Sequence, residues 1–242
     1  MKSFTEKIAD KLKSNFDYPG VTVAFLGDSV TQGCFEVYMK SETDIETVFD
    51  KNHAYHKYFA DIFTVLCPNV PVNIINAGIS GDSAPHGLSR MDNDVLKYNP
   101  DLVVVCFGLN DCGQGLEGKD KYINALSEIF DKIKKSGSEL VFMTPNMMCT
   151  KVSCHLHDEK IKNIASDVAK RQNDGILDSY LDAAKVLCKE KNVKVCDCYS
   201  KWKRLEELGF DVTELLSNKI NHPTREMNMM FAYSLVETIL GM

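Results

Sequence analysis

Residues 21–33 read VTVAFLGDSVTQG, an apolar run that stops at a glycine and continues into a polar turn carrying Asp28 and Ser29. Such a continuous run is typical of a strand buried on both faces of a parallel sheet. Gly27 lets the chain turn sharply out of the sheet, and negative charge on a serine at a helix N-terminus is favoured. The turn therefore fits a nucleophile, but it equally fits an Asp–Ser helix cap.

Four further apolar runs of strand length follow the first one along the chain. They span residues 72–75, 102–107, 140–143 and 193–196. Segments with helical spacing lie between and after them, at residues 58–66, 122–133, 176–188 and 227–240. Strands that alternate with helices predict βαβ units, a parallel sheet and helices on both of its faces. The sequence has neither a repeat nor a linker-like stretch, so residues 1–242 are predicted to form one domain.

Composition and charge narrow the class of partner. The formal net charge of −6 argues against a sequence-independent nucleic-acid binder and offers no polybasic attraction to membranes. No apolar run reaches the length of a membrane span, and the charged N-terminal stretch lacks the apolar core of a signal peptide. The nine cysteines are odd in number and scattered, which favours reduced thiols. We therefore expect a cytoplasmic protein.

Polar, glycine-containing turns also follow the next two apolar runs. Residues 76–83 read NAGISGDS and residues 108–111 read GLND. Backbone N–H groups of the first turn and the side-chain amide of Asn110 are suited to stabilising an oxyanion. Near the C-terminus, His222 is followed by a proline at the start of a helical segment and is well placed to serve a distant nucleophile. Taken singly, each block also fits an ordinary loop or cap.

In this order and spacing, the four blocks resemble the signature blocks of the SGNH (GDSL-like) hydrolases, over residues 21 to about 240. The resemblance implies a flavodoxin-like three-layer α/β/α sandwich around a central, parallel, five-stranded sheet. It also implies a serine esterase in which Ser29 attacks the ester carbonyl, His222 takes its proton, and Asp28 neighbours the nucleophile.

The same resemblance implies which groups form the oxyanion hole and which cofactors and partners to expect. The oxyanion hole would consist of the backbone N–H groups of Ser29 and Gly81 and the side chain of Asn110. Neither a metal nor an organic cofactor is expected, and the expected partner is a small acyl ester. The crowded residues Cys149, Cys154, His155 and His157 match no standard zinc spacing and are expected to form a loop.

One position departs from the family pattern. The family usually has an aspartate three residues before the histidine, where this chain has Lys219. A lysine cannot accept a hydrogen bond from the imidazole N–H. Three alternatives remain: a carbonyl oxygen of Asn218 or Asn221 orients His222, a backbone carbonyl does so, or another carboxylate such as Asp211 reaches the ring.

The substrate is less constrained than the chemistry. Without an export signal, the family analogy favours deacetylation of sugars. A lipase-like, lysophospholipase or thioesterase activity on longer acyl chains is the alternative, which an apolar channel near Ser29 would favour. A degenerate member that only binds acylated ligands is the non-enzyme alternative, supported by Lys219 alone.

Residues 34–54 are predicted to be an insertion that acts as a substrate lid or is only a surface elaboration. Arg90 is expected in a structural salt bridge.

Overall fold

The computed structural model describes residues 2–242. Its strands are β1 (Val21–Gly27), β2 (Cys34–Met39), β3 (Ile45–Phe49), β4 (Val72–Gly78), β5 (Leu102–Cys106), β6 (Glu139–Met143) and β7 (Lys194–Cys196). Its α-helices are α1 (Phe4–Lys13), α2 (Ser29–Gln32), α3 (Tyr55–Leu66), α4 (Ala84–Asp94), α5 (Lys119–Ser136), α6 (Glu159–Asn173), α7 (Ile176–Glu190), α8 (Cys198–Glu207) and α9 (Arg225–Leu240).

Five of these strands form the central sheet of residues 2–242, in the order β4-β1-β5-β6-β7, and all its pairings are parallel. Each of the five predicted apolar runs coincides with one of its strands. All five residues of β5 are buried, which accounts for the unbroken apolar run, because this strand contacts helices on both faces. The predicted parallel five-stranded sheet is confirmed.

The longer helices pack in two groups on the sheet. Helix α9 contacts both α3 and α8, and α4, α5, α6 and α7 form a second contiguous set. Phe25 of β1 packs edge-on against Tyr55 and Phe59 of α3, while Phe142 of β6 packs edge-on against Phe130 of α5. The sheet therefore lies between two helical layers, and the three-layer α/β/α sandwich is confirmed.

The segment predicted as an insertion, residues 34–54, folds into an antiparallel hairpin. Strands β2 and β3 pair with each other in a separate two-stranded sheet, with an irregular register between Cys34 and Val37. The hairpin follows α2 directly and leads through a short 3-10 turn at Lys51–His53 into α3. The hairpin therefore lies beside the loop that carries Ser29.

From residue 2 onward, no helix is long and apolar enough to cross a membrane. The same residues contain no group of three or more His, Cys, Asp or Glu side chains arranged to hold a metal ion.

Candidate active site

The two ends of the chain bring a serine and a histidine together at the carboxyl edge of the sheet. Ser29 follows the end of β1, and His222 lies just before α9. The Ser29 Oγ and the His222 Nε2 are 3.0 Å apart, within hydrogen-bond distance. Both residues are buried, with exposures of 4% and 5%. A buried serine–histidine contact of this length is the geometry that a general base needs to activate a hydroxyl.

Close backbone packing places Ser29. It is the first residue of α2, and the Asp28 Oδ1 caps that helix by accepting from the Val30 N–H at 3.0 Å. Helix α2 then lies against the end of β4, where a Cβ on Gly78 would stand 2.3 Å from the Gln32 backbone nitrogen. Only glycine therefore allows the helix to approach the strand so closely.

Asp28 is the least solvated acid near this serine. It is 1% exposed, and its Oδ2 has no hydrogen-bond partner in residues 2–242. Burial raises the pKa of its carboxyl from 3.8 to about 7, because the charged form loses its hydration. Asp28 therefore serves as a cap whose ionisation is disfavoured.

The other ring nitrogen of His222 contacts a backbone carbonyl. The distance from the His222 Nδ1 to the Phe35 carbonyl oxygen is 2.8 Å. A carbonyl only accepts, so Nδ1 carries the hydrogen and Nε2 is left as the acceptor for the Ser29 hydroxyl. Burial lowers the pKa of His222 below 6.5, while the Phe35 carbonyl and the nearby Glu36 charge oppose this shift. The ring is therefore a neutral base in the required tautomer.

The two asparagines expected to orient the ring do not contact it. The Asn218 Oδ1 accepts from the backbone N–H groups of Ile220, Asn221 and His222 at 2.9–3.0 Å, and the Asn218 amide donates to the Asn221 Oδ1 at 3.0 Å. These contacts close the turn that carries His222. The asparagine alternatives are therefore corrected: both side chains shape the loop backbone, and the geometry matches the backbone-carbonyl alternative.

The two charged residues considered for this position lie elsewhere. Lys219 adopts a left-handed backbone conformation, with φ of 58°, and its amine contacts the Glu214 carboxylate and carbonyl at 3.0 and 2.9 Å. Asp211 pairs with Lys151 at 2.5 Å. Neither residue reaches His222, and the Phe35 carbonyl of the hairpin contacts the ring nitrogen that the usual aspartate would contact.

An arginine on α9 fixes the part of the hairpin that orients His222. Arg225 donates to both carboxylate oxygens of Glu36, at 2.7 and 3.2 Å, and its Nε donates to Asp50 at 2.8 Å. Its guanidinium also lies over the Phe35 ring, 4.4 Å from the centroid. These contacts hold the backbone of residues 35–36, and therefore the carbonyl that accepts from the ring.

The three expected oxyanion donors converge on the same cavity. Ser29, Gly81, Asn110 and His222 all line a cavity of about 320 Å³. Gly81 has a positive φ of 77°, and the backbone N–H groups of Ser29 and Gly81 have no acceptor in the described chain. The Asn110 amide donates one hydrogen to the Asp82 carbonyl at 2.8 Å, which leaves the second for a ligand.

Buried acids support these loops from behind. Asp111 accepts from the backbone N–H groups of Ala84 and Gly108 at 2.9 and 3.1 Å, and burial raises its carboxyl pKa to about 6. The Asp82 carboxylate accepts from Arg90 at 2.5 and 2.8 Å, and Arg90 also pairs with Asp94. Arg90 therefore forms the salt bridge expected from the sequence.

The remaining wall of the cavity comes from the hairpin, which the sequence predicted as a lid or a surface elaboration, and from helix α6, which the sequence did not reveal. The hairpin contributes Val37 and Ile45, and helix α6 contributes Ile161, Val168 and the charged side chain of Arg171. The residues between β6 and α6, including Cys149 and His155, form an irregular loop. The only available signal for α6 was its weak apolar spacing.

The family comparison agrees with this arrangement. The model of the GDSL-like Lipase/Acylhydrolase family matches residues 25–229, which is most of the chain. The chain belongs to the GDSL-like lipase/acylhydrolase family. That span includes Ser29, the glycine turn, Asn110 and His222, so the family match contains every residue of the site described above.

Two individual esterases match shorter segments of the chain. An arylesterase of Vibrio mimicus is 39% identical over 72 residues, which are 30% of this chain and 36% of that protein. An acetylxylan esterase of Geobacillus stearothermophilus is 27% identical over 92 residues, 38% of this chain and 40% of that protein. Both matches therefore span well under half of the relatives' own length.

A solved structure covers nearly the whole fold. Axe2, an acetylxylan esterase from Geobacillus stearothermophilus, superposes with a TM-score of 0.67 at 19% identity, covering 91% of this chain and 94% of that one. At this identity the similarity concerns the fold alone.

Proposed function

We propose that this protein is a carboxylic-ester hydrolase that works through an acyl-enzyme on Ser29. The observation that carries the proposal is the 3.0 Å contact between the Ser29 Oγ and the His222 Nε2, together with the 2.8 Å contact that fixes the tautomer of the ring. The family match and the esterase relatives support the same reaction class.

The first half of the reaction uses His222 as a base and then as an acid. Nε2 takes the proton of the Ser29 hydroxyl while Oγ forms a bond to the ester carbonyl carbon. The resulting oxyanion accepts hydrogen bonds from the N–H groups of Ser29 and Gly81 and from the free amide hydrogen of Asn110. The bond to the alcohol then breaks, and the alcohol oxygen takes the proton from Nε2.

The second half repeats these steps with water. His222 removes a proton from water, whose oxygen bonds to the acyl carbon. The bond between that carbon and the Ser29 Oγ then breaks, and the Oγ takes the proton from Nε2 to become a hydroxyl again. The Phe35 carbonyl holds the imidazole in register through both halves, without a carboxylate. No step requires a metal or an organic cofactor.

Two observations bear on the acyl group. The acetylxylan esterase relative supports a short acyl group, such as the acetyl of a carbohydrate O-acetyl ester. The aliphatic wall formed by Val37, Ile161 and Val168 favours the second candidate, a longer-chain acyl hydrolase such as a lipase, lysophospholipase or thioesterase.

Domain organisation and location complete the proposal. Residues 1–242 form one domain, in which the 34–54 hairpin makes a wall of the site and acts as a lid-like element. A cytoplasmic location is supported by the nine cysteines, all of which are free thiols in the part of the chain described. Small soluble esters are the partner, and the acidic net charge disfavours nucleic acid.

The test is a ladder of para-nitrophenyl esters from acetate to palmitate, assayed with wild type, Ser29→Ala and His222→Ala. Both variants are expected to lose at least about a thousandfold in kcat with unchanged fold by circular dichroism. A maximum at acetate supports the short-chain reading, and a maximum at long chains supports the second candidate. A folded wild type that neither hydrolyses any ester nor reacts with a fluorophosphonate at Ser29 refutes the proposal and favours an acyl-ligand binder.

A further inference from the structure

One charged side chain stands out in the wall of the Ser29 cavity. Arg171 lies in the last turn of α6, is half-buried, and lines the same cavity as Ser29, Asn110 and His222. No aspartate or glutamate lines this cavity in residues 2–242. With His222 neutral, Arg171 is the one charge that a bound ligand would meet there.

Arg171 also differs from every other arginine in the chain. Arg90, Arg204 and Arg225 each form an ion pair, with Asp82 and Asp94, with Glu207, and with Glu36 and Asp50 respectively. Arg171 has no ion pair or side-chain hydrogen bond in the chain from residue 2 to 242.

Suitable partners are present along the sequence and are not used. Asp167 lies one turn earlier on α6, at a spacing that favours an ion pair, yet it does not contact Arg171. Asp174 pairs with Lys170 instead. The guanidinium lies near the turn after Asn110, where a Cβ on Gly113 would be 3.4 Å from the Nη1. The guanidinium therefore lies beside this turn and not against the acids of its own helix, and Arg171 still lines the Ser29 cavity.

A half-buried guanidinium without a partner is unfavourable, because it loses hydration and gains no counter-charge. Its planar fork matches a carboxylate through two parallel hydrogen bonds. The aliphatic side chains of Ile161, Val168 and Val37 line the same cavity and would cover an apolar connecting segment of a ligand. We propose that Arg171 binds a carboxylate of the substrate, so that the favoured esters carry an anionic group separated from the ester bond by an apolar segment. This inference rests on the proposed esterase function.

Two matched ester pairs locate the carboxylate. On the acyl side, para-nitrophenyl adipate monoester is compared with para-nitrophenyl hexanoate, which has the same chain length without the charge. On the alcohol side, para-acetoxybenzoate is compared with para-acetoxybenzamide. The measured quantity is the ratio of kcat/KM for the anionic ester to that for its neutral partner.

The variants are Arg171→Met, which keeps apolar volume without charge, and Arg171→Lys, which keeps charge without the fork. Arg204→Met removes the same charge from the exposed Arg204 on α8 and controls for net charge. In at least one pair, Arg171→Met is expected to lower the ratio by roughly tenfold to a hundredfold, the range for charge-assisted hydrogen bonds. Arg171→Lys should retain part of the preference, and Arg204→Met should match wild type. Circular dichroism spectra and urea midpoints that match wild type report that the variants are folded.

The result that overturns the inference is an unchanged ratio in both pairs for an Arg171→Met protein that is folded by circular dichroism. A readout without turnover separates this outcome from failure of the esterase proposal. Calorimetry of adipate and of para-hydroxybenzoate on Ser29→Ala, with and without Arg171→Met, should show at least tenfold weaker binding of one compound without the arginine. Equal affinities, or no binding, overturn the carboxylate site. Arg171-dependent binding in a protein that hydrolyses no ester would refute only the esterase proposal.

Discussion

A change at Arg225 tests how strongly catalysis depends on the position of the Phe35 backbone carbonyl, because Arg225 holds the hairpin that carries it. The informative change is Arg225→Lys, which keeps the positive charge but not the planar fork. The arginine makes three charge-assisted hydrogen bonds, two to Glu36 and one to Asp50. A lysine amine can hold one carboxylate at a time in place of this arrangement.

The size of the effect follows from the exposure of the partners. Charge-assisted hydrogen bonds contribute about 1.5–3 kcal/mol when shielded, but exposed pairs contribute only about 0.2–1 kcal/mol. The side chains of Arg225, Glu36 and Asp50 are 30%, 27% and 23% exposed, between these limits. Losing two of three bonds should lower the free energy of unfolding by about 1–3 kcal/mol, measurable by urea titration.

The Arg225→Lys change should also lower kcat, and by more than its effect on the free energy of unfolding suggests. Glu36 is the residue next to the carbonyl that orients His222, and a misplacement of about 1 Å can cost a factor of about a hundred. We expect kcat for para-nitrophenyl acetate to drop roughly tenfold to a hundredfold with KM within about threefold. Because the Phe35 carbonyl raises the pKa of His222, weakening that bond should also move the acid limb of the pH–rate profile to lower pH.

The control is Arg204→Lys, since Arg204 pairs with Glu207 on the surface of α8. It should change neither stability nor kcat. A folded Arg225→Lys protein with wild-type kcat would refute the reasoning. A lower kcat would also refute it if the midpoint of the acid limb moved upward toward pH 6.5. That shift would mean that water has entered around His222, and not that the hydrogen bond to the carbonyl is lost.

Three further predictions concern protonation and packing. Burial lowers the pKa of His222, and a base acts when deprotonated, so the acid limb of kcat/KM for wild type should have its midpoint below 6.5; a higher midpoint contradicts the neutral buried ring. The pKa of Asp28 is 3.8 when unfolded and about 7 when folded, so the native state alone keeps its proton between these values and stability falls as pH rises. The Asp28→Asn variant keeps the helix cap without the charge. Between pH near 4 and pH near 8, urea titrations should show its free energy of unfolding rising relative to wild type by up to about 4 kcal/mol. The same pH dependence in both proteins would disprove this prediction. Gly78→Ala should destabilise by about 3 kcal/mol or more and abolish hydrolysis, because its Cβ would meet the backbone of Gln32 at 2.3 Å; a wild-type melting temperature would contradict it.

The sequence predicts the sheet well because buried parallel strands leave a strong signal. Runs such as residues 102–107 are apolar on both faces, and they are strands in the structure. Helix α6 left a weaker signal, because only five of its residues are buried and three of these are two alanines and a glutamine. One wall of the cavity, and Arg171 with it, therefore could not be placed from the sequence.

The partner of His222 could not be read from the sequence for a different physical reason. An orienting carboxylate has a residue type that a motif can specify, whereas every residue has a backbone carbonyl. Phe35 is identified only by the hairpin geometry that brings its oxygen to the ring. Lys219 stands where the family usually has an aspartate, but its amine pairs with Glu214. The lysine therefore gives no information on which group replaces the carboxylate.

A carbonyl differs from a carboxylate in what it does during the reaction. Both fix the tautomer, but a neutral dipole stabilises the imidazolium formed in the transition state less than a full charge does. The nearest negative charge with an effect on His222 is Glu36, whose field is partly cancelled by its pairing with Arg225. The arginine therefore orders the carbonyl and weakens the Glu36 charge at once. Burial chiefly lowers the pKa of His222, and the paired Glu36 opposes that shift only in part, so we expect a weaker base than an imidazole backed by an unpaired carboxylate.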